Sequence, residues 1–462
     1  MSNKPQDANR WIHTFIIAME NALYKPSRRW FQKFIFGALL TCSTVSSWIR
    51  AVDEKRRYRK FYHHLSRLGT QIDAVQSRFL DWLVENLPSE VLQEMRIRLV
   101  ADDSPTKRSG PKIEGAGWHH DPTSPNVDTT TCYGHSWVVL SIVLEHPFWG
   151  TISIPLSNRL YIRRDDLKKI EECKRPEFKT KLEFLNEMVA EVSPKLKALE
   201  KPVQLLFDRG YVSEDVFTKM AELGVEIVTR FKSNTNLYKL PEVPKEKRRG
   251  RPQKYGDSMK ADDLMQDRRR RLSRTTVFVY GREELIEYKS AILTSHVSDG
   301  KPIHVVVSRI VKQETRSDGT VKEKIGPQGT FVSTNVHLTP EEIIESYSKR
   351  FSIEEMFKDL KEVCGLGKQQ VRNLESNLAC FQILAMNYAI VELWAWDKDA
   401  TFLTRHRPPW DDIARRPSHK NKRMALQTEE HWAYFSAKYA KTLTPKILND
   451  LKKRLFDQIV AV

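Results

Sequence analysis

The sequence predicts an α/β protein built on a mixed sheet, with an all-helical N-terminal region ahead of it and a β-rich insertion within it. Three observations lead there. Apolar residues recur at helical spacing over residues 9–87 with no strand-like alternation, the texture turns to β at Arg96, and helices and strands then alternate.

In the helical region Trp30, Phe31, Phe34, Ile35 and Ala38 share one face. Residues 31–40, a break at 41–43, and residues 44–52 read as two helices joined by a tight turn, the plan of a helix-turn-helix; two ordinarily packed helices would give the same pattern. From Arg96 onward, Ile97, Leu99 and Ala101 lead to Asp102, and apolar runs at 136–144 and 151–156 complete three successive strands. A helix over 179–199 leads to a short buried strand, 203–207, that ends at Asp208; a helix over 213–223 and a strand over 225–230 follow. Residues 239–274 break the pattern with 13 Lys and Arg against 6 Asp and Glu. Strands over 275–280, 287–293 and 303–310 then suggest that this basic insertion carries a small β domain of its own, to about Gly329. Helical spacing returns after Pro340. The expected organisation is a helical DNA-binding region (1–95), a first core segment (96–235), the basic insertion (236–330), a second core segment (331–396) and a basic C-terminal region (397–462).

Charge bounds the function. Lys and Arg number 76 against 59 Asp and Glu, a net +17 that has to meet an anion. Hydrophobic residues, 40% of the chain, can fill substantial cores, which excludes overall disorder. The longest apolar runs, 34–40 and 138–144, fall short of the roughly 20 residues that cross a bilayer, and residues 1–10 lack the pattern of a secretory signal, so a cytoplasmic protein with no membrane partner is expected. Five scattered cysteines, none spaced C-x-x-C, argue against a disulfide scaffold or zinc ribbon. His63-His64 and His119-His120 lack the spacing of a zinc site and read as ordinary surface or core residues, and Trp394 and Trp396 read as core.

The chemistry is expected where strands end. Asp102 (followed by Asp103 and Ser104) and Asp208 (followed by Arg209, Gly210 and Tyr211) each stand at the carboxyl end of an apolar strand, where ligands gather in open α/β sheets; a turn or a cap is the plainer role for either alone. Tyr347, Arg350, Glu354 and Lys361 are spaced Y-x2-R-x3-E-x6-K in a helical segment, and offsets of 3, 7 and 14 put all four on one face. A solvated stripe with an Arg350–Glu354 ion pair accounts for two of them but not for Tyr347 and Lys361.

Taken together, these residues resemble the DDE transposases of bacterial insertion sequences, in the branch marked by a Y-R-E-K helix, over about residues 96–396. The resemblance implies an RNase H-like core with a β insertion ahead of the helix that carries Glu354. It implies that Asp102, Asp208 and Glu354 are the catalytic acids and hold two Mg²⁺ ions, with Mn²⁺ able to substitute. Asp102 is favoured over Asp103 because family members often place the acid two residues before a Ser or Thr. Hard divalent ions want anionic oxygen ligands, and a pair roughly 3.5 to 4 Å apart suits phosphodiester displacement. None of the acids is then expected to be a general base of shifted pKa.

Tyr347, Arg350 and Lys361 would hold phosphates, with Arg209 beside them. The implied activity is metal-dependent cut-and-paste transposition, by hydrolysis and strand transfer at the ends of a mobile element, on double-stranded DNA and as a homodimer. Relatives in this branch close a DNA hairpin and hold a flipped base with a Trp in the insertion. Residues 232–331 contain no Trp here, leaving Tyr280, Phe278 and Tyr288 as aromatic residues that could stack. Arg249-Gly250-Arg251-Pro252 matches the core of an AT-hook, whose Arg side chains enter a narrow minor groove; Arg268–Arg271 and the basic stretch 405–423 are further cationic segments. The competing reading is a catalytically inactive DNA-binding regulator derived from a transposase.

Overall fold

The computed structural model describes residues 7–41, 44–121, 130–241, 253–315, 321–408, 410–411, 415–439 and 447. Its N-terminal helices are α1 (Ala8–Met19), α2 (Arg28–Leu40), α3 (Val45–Ala51), α4 (Tyr58–Gly69), α5 (Ile72–Glu85) and α6 (Ser89–Gln93). Large rings weld them together: Phe15, Phe31, Phe34, Trp48, Phe61, Phe79 and Trp82 are fully buried, and Phe15 meets Trp82 edge-on at 4.7 Å. The pair α2 and α3 follows the two helices read from the sequence; residues 42 and 43 of its turn lie outside the described residues.

The core begins with β1 (Ile97–Lys107), β2 (Gly117–His120), β3 (Thr131–His146) and β4 (Gly150–Tyr161), then α7 (Arg164–Leu167), α8 (Lys181–Lys197), β5 (Val203–Phe207), α9 (Glu214–Glu222) and β6 (Val225–Phe231). Helix α8 starts at a capping box between Thr180 and Glu183, and Ser213 caps α9, so both crossovers begin where their donors are satisfied. Strand β1 sits between antiparallel β3 and parallel β5, β4 pairs with β3, and β6 runs parallel to β5. Strand β5 is buried along its whole length, as a central parallel strand must be.

The insertion contributes β7 (Leu237–Tyr238), β8 (Ser258–Met259), α10 (Ala261–Gln266), β9 (Ser273–Val279), β10 (Arg282–Leu293), β11 (Ile303–Thr315) and β12 (Val321–Ser333). Here the structure departs from the sequence reading. Apart from the short β7–β8 pair, these strands do not make a sheet of their own: β12 pairs with β6, and β11, β10 and β9 follow, extending the main sheet to ten strands. Strand β12 went unread because Gly326, Pro327 and Gly329 give it the composition of a loop. Hairpin β9–β10 turns on Tyr280 and Gly281, both at positive φ (53° and 79°), the geometry of a two-residue hairpin loop.

The chain closes with α11 (Pro340–Ser348), α12 (Phe351–Glu362), α13 (Leu374–Ala395), α14 (Ala400–Thr404) and α15 (His419–Tyr439). Helix α13 is long and apolar enough to cross a membrane, but 94% of its apolar window is buried within the protein. Asn377, Gln382, Asn387 and Glu392 recur along it and fix its rotation. Asn377 accepts from Arg108, Gln382 accepts from Asn158 of β4, Asn387 donates to the Ile35 carbonyl of α2, and Glu392 accepts from His419 and Lys422 of α15. The core helix thereby ties the N-terminal helices, the sheet and the C-terminal helix to one another.

Candidate active site

Two strands deliver the first two acids. The parallel register of β1 and β5 pairs Ala101 with Phe207, so Asp102 and Asp208 are the next residues along adjacent strands. Alternation along β1 sends Asp102 and Asp103 to opposite faces. Asp103 accepts from the Tyr211 hydroxyl at 2.9 Å and from Lys181 of α8 at 2.5 Å, while its own N–H donates to Asp102 Oδ1 at 2.8 Å. Asp102 faces the other way, toward α12.

The third acid arrives on a broken helix. The single helical segment read from the sequence is two helices, α11 and α12, joined by tight i to i+3 bonds: Arg350 N–H to Tyr347 O, Ser352 N–H to Lys349 O and Ile353 N–H to Arg350 O. All four spaced residues nevertheless reach the strand ends. Arg350 donates to Asp102 Oδ2 at 2.9 Å and to Glu354 Oε1 at 2.6 Å. Tyr347 OH lies 3.5 Å from Asp208 Oδ1, a long contact, and Lys361 donates to Ser104 Oγ at 2.6 Å. Arg209, next to Asp208, is exposed. Arg249 and Arg251, the residues of the AT-hook match, lie outside the described residues.

Burial sets the electrostatics. It pushes the Asp102 carboxyl up to about 6 even against the attraction of Arg350. It also pushes the Tyr347 phenol up to about 12, so this residue is a neutral hydroxyl donor at any ordinary pH. The Lys361 ammonium is lowered by the same cause. The acids therefore do not share one environment: the Asp102 side chain is 22% exposed and that of Glu354 44%.

As a donor set, Asp102, Asp208 and Glu354 offer the hard oxygens that Mg²⁺ requires, and Asp102 and Glu354 already converge on one positive charge, the guanidinium of Arg350. That charge holds the place of a cation between them. Among the described residues no three His, Cys, Asp or Glu side chains are gathered into a metal cage. Asp102 and Glu354 would be available to hold an ion once Arg350 gives up its contacts with them.

Beside the site stands the tip of hairpin β9–β10. Phe278 and Tyr280 are exposed, Tyr280 meets Phe351 edge-on at 6.0 Å, and the Phe278 N–H donates to Glu345 of α11. Tyr288, the third aromatic considered for stacking, is committed to Glu341 through its hydroxyl at 2.7 Å. The roles of Tyr211 and Lys181 as holders of Asp103 were missed by sequence reasoning. Tyr211 stood in view next to Asp208-Arg-Gly, whereas nothing local marks Lys181.

A family model for DDE superfamily endonucleases matches residues 19–282, more than half of the chain, and a model of the transposase DDE domain matches residues 179–390. The chain belongs to the DDE transposases. The first match spans Asp102 and Asp208, and the second spans Asp208, Tyr347, Arg350, Glu354 and Lys361. None of the curated proteins compared with the chain matches it. With β4, β3, β1, β5 and β6 as neighbours in that order, the transposase has the RNase H-like arrangement expected of the superfamily. Membership makes DNA the substrate class of this transposase and accounts for the surplus of basic residues.

Proposed function

We propose that the protein is a cut-and-paste transposase in which Asp102, Asp208 and Glu354 hold two Mg²⁺ ions, or Mn²⁺ in their place, and act on the ends of a mobile element. The observation that carries this reading is the shared grip of Asp102 and Glu354 on Arg350: two acids 252 residues apart in the chain meet on one cation, at 2.9 and 2.6 Å. Bound divalent ions would supply Lewis acidity and neutralise charge on the phosphodiester.

The protein's own groups position the DNA. Arg350, released from the two acids, offers a planar pair of donors to a phosphate; Lys361 and Arg209 add charge, and Tyr347 adds a hydroxyl that stays protonated. Phe278 and Tyr280 present exposed rings on which a base near the cleaved bond could stack. A homodimer would bring two element ends together, and exposed Arg268–Arg271 would contact the backbone in either subunit.

The test uses a duplex carrying the inverted repeats that flank the coding region. Purified protein with Mg²⁺ is expected to cleave it, and Glu354→Ala to bind it without cleaving. Binding by both proteins with cleavage by neither would instead identify a regulator that has lost catalysis.

A further inference from the structure

Residues 55–60 read Lys-Arg-Arg-Tyr-Arg-Lys, and all six are exposed. The last three open α4, whose outer side also exposes His63 and Arg67; positions 59, 60, 63 and 67 share one face of the helix. The opposite side is anchored. Phe61 and Leu65 are fully buried, Phe61 packs edge-on against Phe34 at 4.8 Å, His64 stacks on Trp30 at 5.2 Å, and Ser66 accepts from Asn373 just before α13. The charged face is thus presented by a rigid mount.

Neighbouring acids do not neutralise these charges. Glu54 is shared by Lys33 and Arg57, and Lys55, Arg56 and Lys60 have no carboxylate within 4.0 Å among the described residues. The first turn of α4 contains no acid, so several cations crowd the end of the helix where its dipole is already positive. Elsewhere on the surface, Arg274 pairs with Glu287 and Glu323, and Arg416 with Glu355. A solvated face gains nothing from such crowding, whereas a polyanion relieves it.

We propose that Lys55, Arg56, Lys60 and the outer face of α4 form a contact surface for the phosphate backbone of duplex DNA, apart from the carboxylate site. The twelve-residue α4 extends about 18 Å, enough to follow several phosphates. The surface belongs to α4 rather than to α3, the second helix of the turn motif, because α3 buries Val45, Trp48 and Ile49 and leaves only Arg50 and Ala51 exposed. This deepens the reading of the chain as a transposase but does not depend on its metal site.

The test measures binding of the full-length protein to a fluorescent duplex in EDTA, where cleavage plays no part. Replacing the three cations together (Lys55→Gln, Arg56→Gln, Lys60→Gln) is expected to weaken binding at least tenfold at low salt. It should also flatten the slope of log affinity against log salt by about 3, since each phosphate contact contributes roughly 0.9. Arg50→Gln is expected to leave both unchanged. In the unaltered protein, bound duplex is expected to protect Lys55 and Lys60 from acetylation, a measurement independent of any variant's folding. An unchanged slope in the triple variant, full acetylation of both lysines under saturating duplex, or a larger loss for single-stranded RNA than for duplex would overturn the proposal. If the metal-site reading fails and Glu354→Ala proves irrelevant to cleavage, this surface still stands or falls on the binding data alone.

Discussion

The guanidinium of Arg350 donates to Asp102 at 2.9 Å while its second amino group holds Glu354 at 2.6 Å, so one side chain spans two acids far apart in the sequence. On the proposed reading a divalent ion held by both carboxylates would compete with it, and DNA offering a phosphate to Arg350 would favour the exchange. Arg350→Gln is therefore expected to bind Mn²⁺ more tightly than the unaltered protein in the absence of DNA, by at least threefold in an electron paramagnetic resonance titration at pH 8. Cleavage of element-end DNA should fall roughly 10²-fold, the usual loss when one positioned donor to reacting charge is removed. Unchanged ion affinity would mean that Arg350 and the ion do not compete.

Asp102 makes the second prediction, because burial lifts its carboxyl from 3.8 to about 6. The folded protein then holds this proton more firmly than the unfolded chain does, and stability declines as pH rises through the window from about 4 to about 6. Above that window the ionised side chain costs on the order of 3 kcal/mol. Asp102→Asn removes the cost: it should match the unaltered protein at pH 4 and unfold at higher denaturant at pH 7.5, while losing cleavage. Equal midpoints at both pH values would show that Asp102 ionises without penalty.

Much of this was legible in local pattern, and the exceptions have physical reasons. Asp102 and Asp208 could be read as strand ends because apolar runs stop at them, whereas the opposite faces taken by Asp102 and Asp103 emerged with β1. Which face meets Glu354 depends on how α12 packs, a tertiary fact. The break between α11 and α12 contains neither Gly nor Pro, so nothing in residues 347–353 announces it. The pairing of β12 with β6 joins segments about a hundred residues apart, and pattern within a strand says nothing of its neighbour. The aromatic residues considered for stacking were narrowed by the structure in the same way, since only packing reveals that Tyr288 is tied to Glu341.

A buried charge triad away from the acids, His419, Glu392 and Lys422, makes the third prediction, a loss of stability at alkaline pH. Burial opposes the charge on His419, but Cys364 and Glu392 outweigh it and raise the imidazole to about 9; burial likewise opposes ionisation of Glu392, and Lys422 with His419 lowers that carboxyl to about 2. A raised His contributes stability that is fully present below its unfolded value of 6.5 and is lost as pH climbs through 9. Thermal stability is expected to fall between pH 6.5 and 9 by an amount on the order of 3 kcal/mol, and Glu392→Gln, which strands Lys422, should cost about 3 to 5 kcal/mol at pH 7. A flat melting temperature across that range would rule out a charged His419.

Gly69 closes α4 directly against the backbone of α13, where a methyl group would overlap the Glu375 carbonyl. Backbone cannot swing aside as a side chain can, so Gly69→Ala must push the two helices apart or tilt α4. The expected cost is about 1 to 3 kcal/mol in denaturant unfolding. Because Phe61, Leu65 and Leu68 of α4 seat the cationic face on the core, the same change should loosen duplex binding in EDTA while leaving the spacing of Asp102, Arg350 and Glu354 intact. Hydrogen exchange tests both at once: protection should drop in α4 and at the start of α13, and hold in β1, β5 and α12. A uniform loss of protection would place Gly69 in the general core rather than at this joint.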